Sequence, residues 1–211
     1  MTYRHILLLL LPVLFGAAQP ARAAVIEVFH FTGCTLHDAI NAANGDTAVG
    51  DCPAGSGADT IRLVQTPDIG LETALPKIES TITIESADTA TRTIFRAVSG
   101  APYFRLLDVD DGSLTLRNVT LSGGYLRNIN NGGGAGVRVR NGSLLLEQCV
   151  LKDNRVSSTS IGGGAILSVN STVDIVESRF EENTAMKAIR WLPKHPPSTP
   201  APHGGGIYAV D

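Results

Sequence analysis

The sequence predicts an all-β fold, a right-handed parallel β-helix with a short capping helix at its N-terminal end. One repeating unit occurs three times, 30 and then 29 residues apart, in segments 113–121, 143–151 and 172–180. Glycine triplets recur in step with it, at 132–134, 162–164 and 204–206. Apolar residues alternate within each copy, as in a strand with one buried face. A repeat of this length is typical of a solenoid, in which stacked units share a continuous core.

The N-terminus has the pattern of a secretory signal peptide, which we predict to span residues 1–23. Arg4 and His5 precede an apolar run of 13 residues, and small residues then stand at the two signal-peptidase positions of Ala21-Arg22-Ala23. A membrane-spanning helix needs about 20 apolar residues, so this run is too short. We therefore expect a secreted or outer-membrane-surface protein without a transmembrane segment. An N-terminal membrane anchor is the alternative interpretation.

Residues 24–57 are predicted to form an N-terminal cap that contains an amphipathic helix. Leu36, Ala39, Ile40 and Ala43 fall at i, i+3, i+4 and i+7 and form one apolar stripe, and Gly45 is expected to end the helix. The end of a solenoid exposes apolar side chains and unpaired strand edges. The helix is therefore predicted to cover that end as a lid.

The chain has three cysteines, and export permits disulfide bonds. Cys34 and Cys52 flank a polar, Gly-rich loop and are predicted to pair, closing a loop of 18 residues. Such a bridge contributes about 3 kcal/mol to the free energy of unfolding. Cys149 is left over and falls on an inward position of the repeat. Packing as a small apolar side chain is the favoured role, and a reactive thiol is the alternative.

Residues 58–211 are predicted to form the coils. The expected inward columns are Leu114 with Leu144 and Val173, Leu116 with Leu146 and Ile175, and Leu121 with Leu151 and Phe180. The glycine triplets are predicted to mark bends, because Gly adopts positive φ without steric cost. Phosphate binding is the other use of Gly-rich loops, but no Lys-Ser/Thr pair or evident helix follows these triplets.

A Pro-rich loop is inserted between the last two triplets, at residues 187–203. Insertions in solenoids project from one face and often bind a partner. Arg190, Trp191 and Lys194 are the candidate contacts to a ligand or partner, since an aromatic ring between cations suits a sugar ring or a protein surface. A solvated polyproline loop without a ligand is the alternative.

Two stretches resemble known families of exported bacterial proteins. The letters CTLHDAI from Cys34, AAN from Ala42 and CPAGSGADTI from Cys52 resemble the CSLREA-type N-terminal motif of right-handed parallel β-helix proteins, with His-Asp in place of the usual Arg-Glu. The letters GGAI from Gly163 and FEEN from Phe180 are similar to the GGAI and FxxN repeats of polymorphic outer membrane proteins. Both resemblances imply an exported β-helix that serves as a surface passenger or adhesin, and neither supplies catalytic residues.

No catalytic residue, metal site or cofactor is predicted. The cluster 108–112 lacks the ligand spacing of a calcium loop and is interpreted as a polar turn. Pectate lyases share the β-helix fold and are the enzyme class to consider. They need calcium ligands beside a basic residue. The outward-facing candidates are scattered through the repeat, at Asp174, Glu177, Arg117 and Arg179. A formal net charge of −3 gives no basic footprint for nucleic acid.

The favoured hypothesis is a non-catalytic, adhesin-like scaffold that binds glycans or proteins of a host or cell surface. The alternative is a carbohydrate-active enzyme of the pectate-lyase type that acts on an acidic polysaccharide. The sequence stops at Asp211, shortly after a glycine triplet that precedes strands in the earlier copies. We therefore expect this sequence to be a fragment of a longer β-helix.

Overall fold

The structure, a computed structural model, is a right-handed parallel β-helix with one short helix. It describes residues 23–29, 33–64, 68–100, 102–127, 132–158, 162–187 and 205–210. In chain order the elements are β1 (Val25–Val28), α1 (Leu36–Gly45), β2 (Asp59–Leu63), β3 (Ile69–Leu71), β4 (Thr81–Ser86), β5 (Arg92–Arg96), β6 (Leu107–Asp110), β7 (Ser113–Arg117), β8 (Val119–Ser122), β9 (Tyr125–Arg127), β10 (Val137–Arg140), β11 (Ser143–Glu147), β12 (Val150–Lys152), β13 (Arg155–Ser158), β14 (Ile166–Val169), β15 (Thr172–Val176), β16 (Arg179–Glu181), β17 (Thr184–Lys187) and β18 (Ile207–Val210).

Four parallel sheets form the walls of the coil. The first is β1-β2-β4-β7-β11-β15, the second β3-β5-β8-β12-β16, the third β9-β13-β17 and the fourth β6-β10-β14-β18. Three successive coils contribute one strand to every sheet, in the chain order fourth, first, second, third. The predicted fold class is confirmed.

The register of the sheets confirms the predicted inward columns. Leu144 pairs with Leu114 and Val173, Leu146 with Leu116 and Ile175, and Leu151 with Leu121 and Phe180. The members from the first two coils are buried, whereas Ile175 is 39% exposed. Its strand, β15, is the outermost described strand of the first sheet, so that no described coil covers it. Stacking of one coil on the next is therefore what buries these side chains.

The bends of the coil agree with the prediction only in part. Most of them have a non-glycine residue with positive φ, among them Asn118, Gln148 and Glu177 at equivalent corners of three coils. In the triplet 132–134, Gly132 and Gly134 have the predicted positive φ, of 81° and 70°, and successive coils also approach closely there. A Cβ atom on Gly133 would lie 2.5 Å from Cα of Gly162. The prediction that glycines mark the bends therefore holds at the triplet 132–134 and is wrong for most other corners, where residues with side chains adopt the left-handed region.

The N-terminal helix forms as expected, with a small shift of its end. The Thr35 side chain accepts a hydrogen bond of 3.1 Å from the Asp38 backbone N–H and caps the first turn. The helix includes Gly45 and ends on Asp46, whose φ is 48°. Its buried face packs against β1, β2 and β4 and contains the four predicted residues together with Ala42. The lid is held to the next coil by Asn44, which donates to the Lys77 carbonyl over 2.6 Å.

The predicted disulfide between Cys34 and Cys52 is present, with the two Cα atoms 4.5 Å apart. Among the described residues, no helix is long and apolar enough to cross a membrane. The predicted signal peptide, apart from Ala23, and the predicted loop 187–203, apart from Lys187, lie outside the described residues.

Candidate functional site

The predicted contact residues Arg190, Trp191 and Lys194 lie outside the described residues. The described part of the chain brings together a different set of aromatic and basic side chains, on the outer surface where the second sheet meets the third. We call it the Tyr–Arg surface, and it consists of Arg96, Tyr103, Tyr125, Arg127 and Arg155.

Two tyrosines form the centre of the Tyr–Arg surface. Tyr103 precedes β6, and Tyr125 is the first residue of β9. Their ring centroids are 4.9 Å apart and the ring planes meet at 69°, an edge-to-face arrangement that the quadrupoles of aromatic rings favour. Both side chains are half-buried. The pair therefore presents a fixed aromatic surface to solvent.

Arg96 holds this arrangement from the side of the second sheet. Its guanidinium carbon lies 6.0 Å from the Tyr103 centroid and 5.8 Å from that of Tyr125, within the range of cation–π attraction. Its N–H groups donate to the carbonyls of Gly123, Gly100 and Pro102 over 3.3, 2.7 and 3.3 Å. Arg96 thus ties the segment that carries Tyr103 to the end of β8.

Arg127 is the exposed cation of the Tyr–Arg surface. One of its terminal nitrogens donates to the Tyr103 hydroxyl over 3.3 Å, and its guanidinium carbon lies 5.8 Å from that ring. The hydrogen bond to Tyr103 raises the pKa of Arg127 above its ordinary value. Within the described residues, neither Arg127 nor Arg96 has a carboxylate partner. Among the described residues, no carboxylate therefore balances the positive charge of this pair.

The next coil extends the same face. Arg155 of β13 is the register partner of Tyr125, and Ser157 is the register partner of Arg127. Strands that pair in register project equivalent side chains to one side, so Arg155 follows Tyr125 along the wall. Arg155 is exposed. The surface therefore continues along the axis of the coil.

The basic side chains on the fourth sheet, in contrast, are paired with the carboxylates of β6. Arg138 donates to both oxygens of Asp108 over 2.8 and 2.6 Å, and Asp110 accepts from Arg140 at 2.7 Å and Lys77 at 2.6 Å. The hydrogen bond from Lys77, followed by that from Arg140, lowers the pKa of Asp110. The interpretation of 108–112 as a turn was wrong for Asp108 and Asp110. Both residues lie in β6 and form these ion pairs.

Arg105 connects this group of ion pairs to the glycine triplet 132–134. It donates to the carbonyls of Gly134 and Gly133 over 2.8 and 2.9 Å, and it lies 3.5 Å from Asp108. Burial lowers the pKa of Arg105 to about 10. Arg105 is thus used within the fold, in contrast to Arg127.

The residues weighed for the enzyme hypothesis do not converge. Arg117 lies in the first sheet and forms an ion pair with Glu147, while Arg179 lies in the second sheet, 3.4 Å from Glu181. Asp174 and Glu177 are exposed on the last described coil. Across the described ranges, no group of three or more His, Cys, Asp or Glu side chains could hold a metal ion.

Cys149 is 1% exposed and is packed inside the coil. Its thiol lies 3.3 Å from the carbonyls of Leu116 and Glu147, and burial raises its pKa. A buried, protonated thiol is a poor nucleophile. These observations support the packing role.

The chain matches no protein-family model, no curated protein and no solved structure. The Tyr–Arg surface was not predicted from the sequence. Extending the repeat by one strand beyond Leu121 and Leu151 aligns Tyr125 with Arg155, and this alignment would have indicated part of the surface.

Proposed function

We propose that this chain is an exported, non-catalytic binding scaffold of the adhesin type, and that its Tyr–Arg surface contacts an acidic glycan at a cell surface. The observation that carries the proposal is the pair of guanidinium groups on an aromatic pair, with no carboxylate partner among the described residues. The signal-peptide pattern and the resemblance to exported β-helix families support export. The ligand class follows from the chemistry of the surface.

An acidic sugar meets both halves of this surface. Aromatic rings offer an apolar, rigid face to the C–H groups of a pyranose, and a guanidinium matches a carboxylate with two parallel hydrogen bonds. Arg127 is exposed and Arg96 is fixed by three carbonyls, so that the site is largely preorganised. Arg155 in the following coil supplies a further cation for the next unit of a polymer.

The test measures binding of the exported protein to polygalacturonate, with a neutral glucan as the control polymer. We expect binding to the uronic acid polymer alone, and weakening with salt because the contact is ionic. Arg127→Gln should weaken binding at least about tenfold through loss of charge-assisted hydrogen bonds. Arg117→Gln is the matched control, because the guanidinium of Arg117 is already paired with Glu147 on another wall.

Two results would overturn the proposal. Equal losses in the Arg127 and Arg117 variants would mean that general charge, rather than this surface, attracts the polymer. Calcium-dependent release of unsaturated products from polygalacturonate would favour the pectate-lyase alternative, and loss of that turnover in Arg117→Gln or Arg179→Gln would place the chemistry elsewhere on the coil.

A further inference from the structure

Ala24 is bound at its backbone nitrogen by a buried carboxylate. The Ala24 N–H donates to Oδ1 of Asp59 over 3.0 Å, and the Ala24 carbonyl accepts from the Thr60 N–H over 2.9 Å. Ala24 is half-buried, directly before β1. Its nitrogen is therefore held in one place against the side chain of Asp59.

Asp59 lies in the interior where the cap, the helix and the first two strands meet. It is 1% exposed, and its Oδ1 atom also accepts a hydrogen bond of 2.8 Å from the Ser56 N–H. A Cβ atom on Gly55 would collide with Oδ2, so that this side of the carboxylate is tightly enclosed. Yet Oδ2 is buried without a hydrogen-bond partner among the described residues. A buried carboxylate with one unpaired oxygen is costly unless a cation completes it.

The sequence supplies such a cation at the Ala24 nitrogen, which already contacts Oδ1 of this carboxylate. The motif Ala21-Arg22-Ala23 predicts that signal peptidase cuts after Ala23, which makes Ala24 the first residue of the mature chain. We propose that this cleavage creates the partner of Asp59: the new α-ammonium group of Ala24 forms an ion pair with the buried carboxylate. The inference deepens the proposed function, because it rests on export with cleavage at this bond.

The physical difference between the two forms of the chain is large. In the precursor, the Ala24 nitrogen is an amide with one N–H and no charge. Hydrolysis of the Ala23–Ala24 peptide bond adds water, leaves a carboxylate on Ala23 and an amine on Ala24, and the amine takes a proton at neutral pH. The ammonium has three N–H donors and a positive charge, so it satisfies more of the carboxylate than the amide does. The cap is thus completed only in the processed chain.

The first measurement decides whether the cut falls where the proposal needs it. The exported protein is purified from a bacterial host and its intact mass and N-terminal sequence are determined. A mature chain that starts at Ala24 is the expected result. A start at any other residue, or an uncut chain, would overturn the inference and, if the chain stays in the cell, the proposal of export as well.

The second measurement tests the ion pair itself, independently of export and of glycan binding. Four chains are prepared from fusions that leave no extra residue: chains starting at Ala24 or at Ala23, each with Asp59 or with Asp59→Asn. The asparagine keeps the Oδ1 acceptor and removes the charge. With Asp59, we expect the Ala24 start to raise the equilibrium constant for folding about tenfold over the Ala23 start, whereas with Asp59→Asn the two starts should differ little. Glu27→Gln, an exposed carboxylate on β1, is the control and should leave the tenfold ratio intact.

Two results would overturn the ion pair. The first is that the chains that start at Ala24 and at Ala23 have the same ratio of folding constants with Asp59 as with Asp59→Asn. The second is that the two starts have equal folding constants when Asp59 is present. If the chains that carry Asp59→Asn do not fold, the rate of acylation of the terminal amine replaces them. The amine of the chain that starts at Ala24 should react at least about tenfold more slowly in the folded state than that of the chain that starts at Ala23. Equal rates would contradict the proposal.

Discussion

Asn183 lies directly above Asn154 inside the coil, and the two side chains are joined in a ladder. Oδ1 of Asn183 accepts from the backbone N and the Nδ2 of Asn154 over 3.1 and 3.0 Å. Asn154 in turn donates to the Leu121 carbonyl and accepts from the Gly124 N–H, over 3.1 and 3.0 Å. Each asparagine therefore satisfies the backbone of the coil before it, which explains physically why the repeat has Asn three residues after its last inward apolar position.

Replacing Asn154 with Ala should cost about 3 kcal/mol in the free energy of unfolding, because a fully buried side chain is lost and three polar groups each lose a hydrogen bond. Those groups are the Leu121 carbonyl, the Gly124 N–H and Oδ1 of Asn183, the last of which keeps its hydrogen bond from the backbone N–H of residue 154. Urea unfolding measures the change. Asn183→Ala is the matched control and should cost less, because Asn183 is half-buried on the last described coil. A larger loss in the control would contradict the ladder.

The disulfide should account for about 3 kcal/mol of the stability of the cap, since it closes a loop of 18 residues that also contains α1. The double variant Cys34→Ala, Cys52→Ala should unfold at correspondingly lower urea concentration than the oxidised protein. Addition of a reductant should lower the midpoint of the natural chain and leave that of the variant unchanged. A reductant effect of equal size on both proteins would mean that the bridge is not the cause.

Cys149 should not react in the folded protein. Burial raises the pKa of its thiol, so the nucleophilic thiolate is both rare and inaccessible. A thiol reagent should label one cysteine per oxidised chain in denaturant and none on the same timescale in buffer, with Cys149→Ser as the blank. Because the folded pKa is raised, the neutral thiol stabilises the fold fully below its ordinary pKa of about 8.5, and this contribution is lost as the pH rises above it. Rapid labelling in buffer would instead support the reactive alternative.

The periodic parts of the molecule could be predicted from the sequence. Stacking repeats each inward position, so the pairing of Leu144 with Leu114 and Val173 follows from the 30- and 29-residue spacing. The cap helix and the disulfide also follow from local pattern and spacing. These features depend on neighbours in the chain or on a constant period, and a single sequence records both.

The Tyr–Arg surface could not be predicted in full, because it breaks that period. Arg96 contacts Gly123 across 27 residues rather than 30, and Tyr103 lies before β6 in a segment whose counterparts in the next two coils carry the glycine triplets 132–134 and 162–164. The bends outside the triplet 132–134 were mispredicted for a related reason. Positive φ at Asn118 or Glu177 is a property of the corner, which the stacked strands impose on whichever residue stands there.

The ion pairs of Asp110 should make the free energy of unfolding depend on pH in the acid range. Hydrogen bonds from Lys77 and Arg140 lower the pKa of Asp110, so its contribution is present above the ordinary pKa of about 3.9 and is lost as the pH falls through the folded pKa. Asp110→Asn should therefore lower the free energy of unfolding by about 1 kcal/mol at pH 7, with the difference vanishing in strong acid. Asp111→Asn, at an exposed corner with φ of 60°, is the control and should change little. A constant difference at all pH values would exclude the charge as its cause.

Close approach of successive coils at the glycine triplets predicts that Gly133→Ala is strongly destabilising. The new methyl group would lie 2.5 Å from Cα of Gly162 and 2.6 Å from its carbonyl carbon. It would also lie 2.6 Å from the backbone nitrogen of Gly163. These are backbone atoms held in the next coil, so they cannot move aside as a flexible side chain would. Overpacking of this kind costs about 1–3 kcal/mol or separates the coils locally. Gly100→Ala is the matched control, since a Cβ atom there meets nothing within 4 Å. Thermal unfolding of the two variants should differ by several degrees, and equal midpoints would show that the coils are not in contact at the triplets.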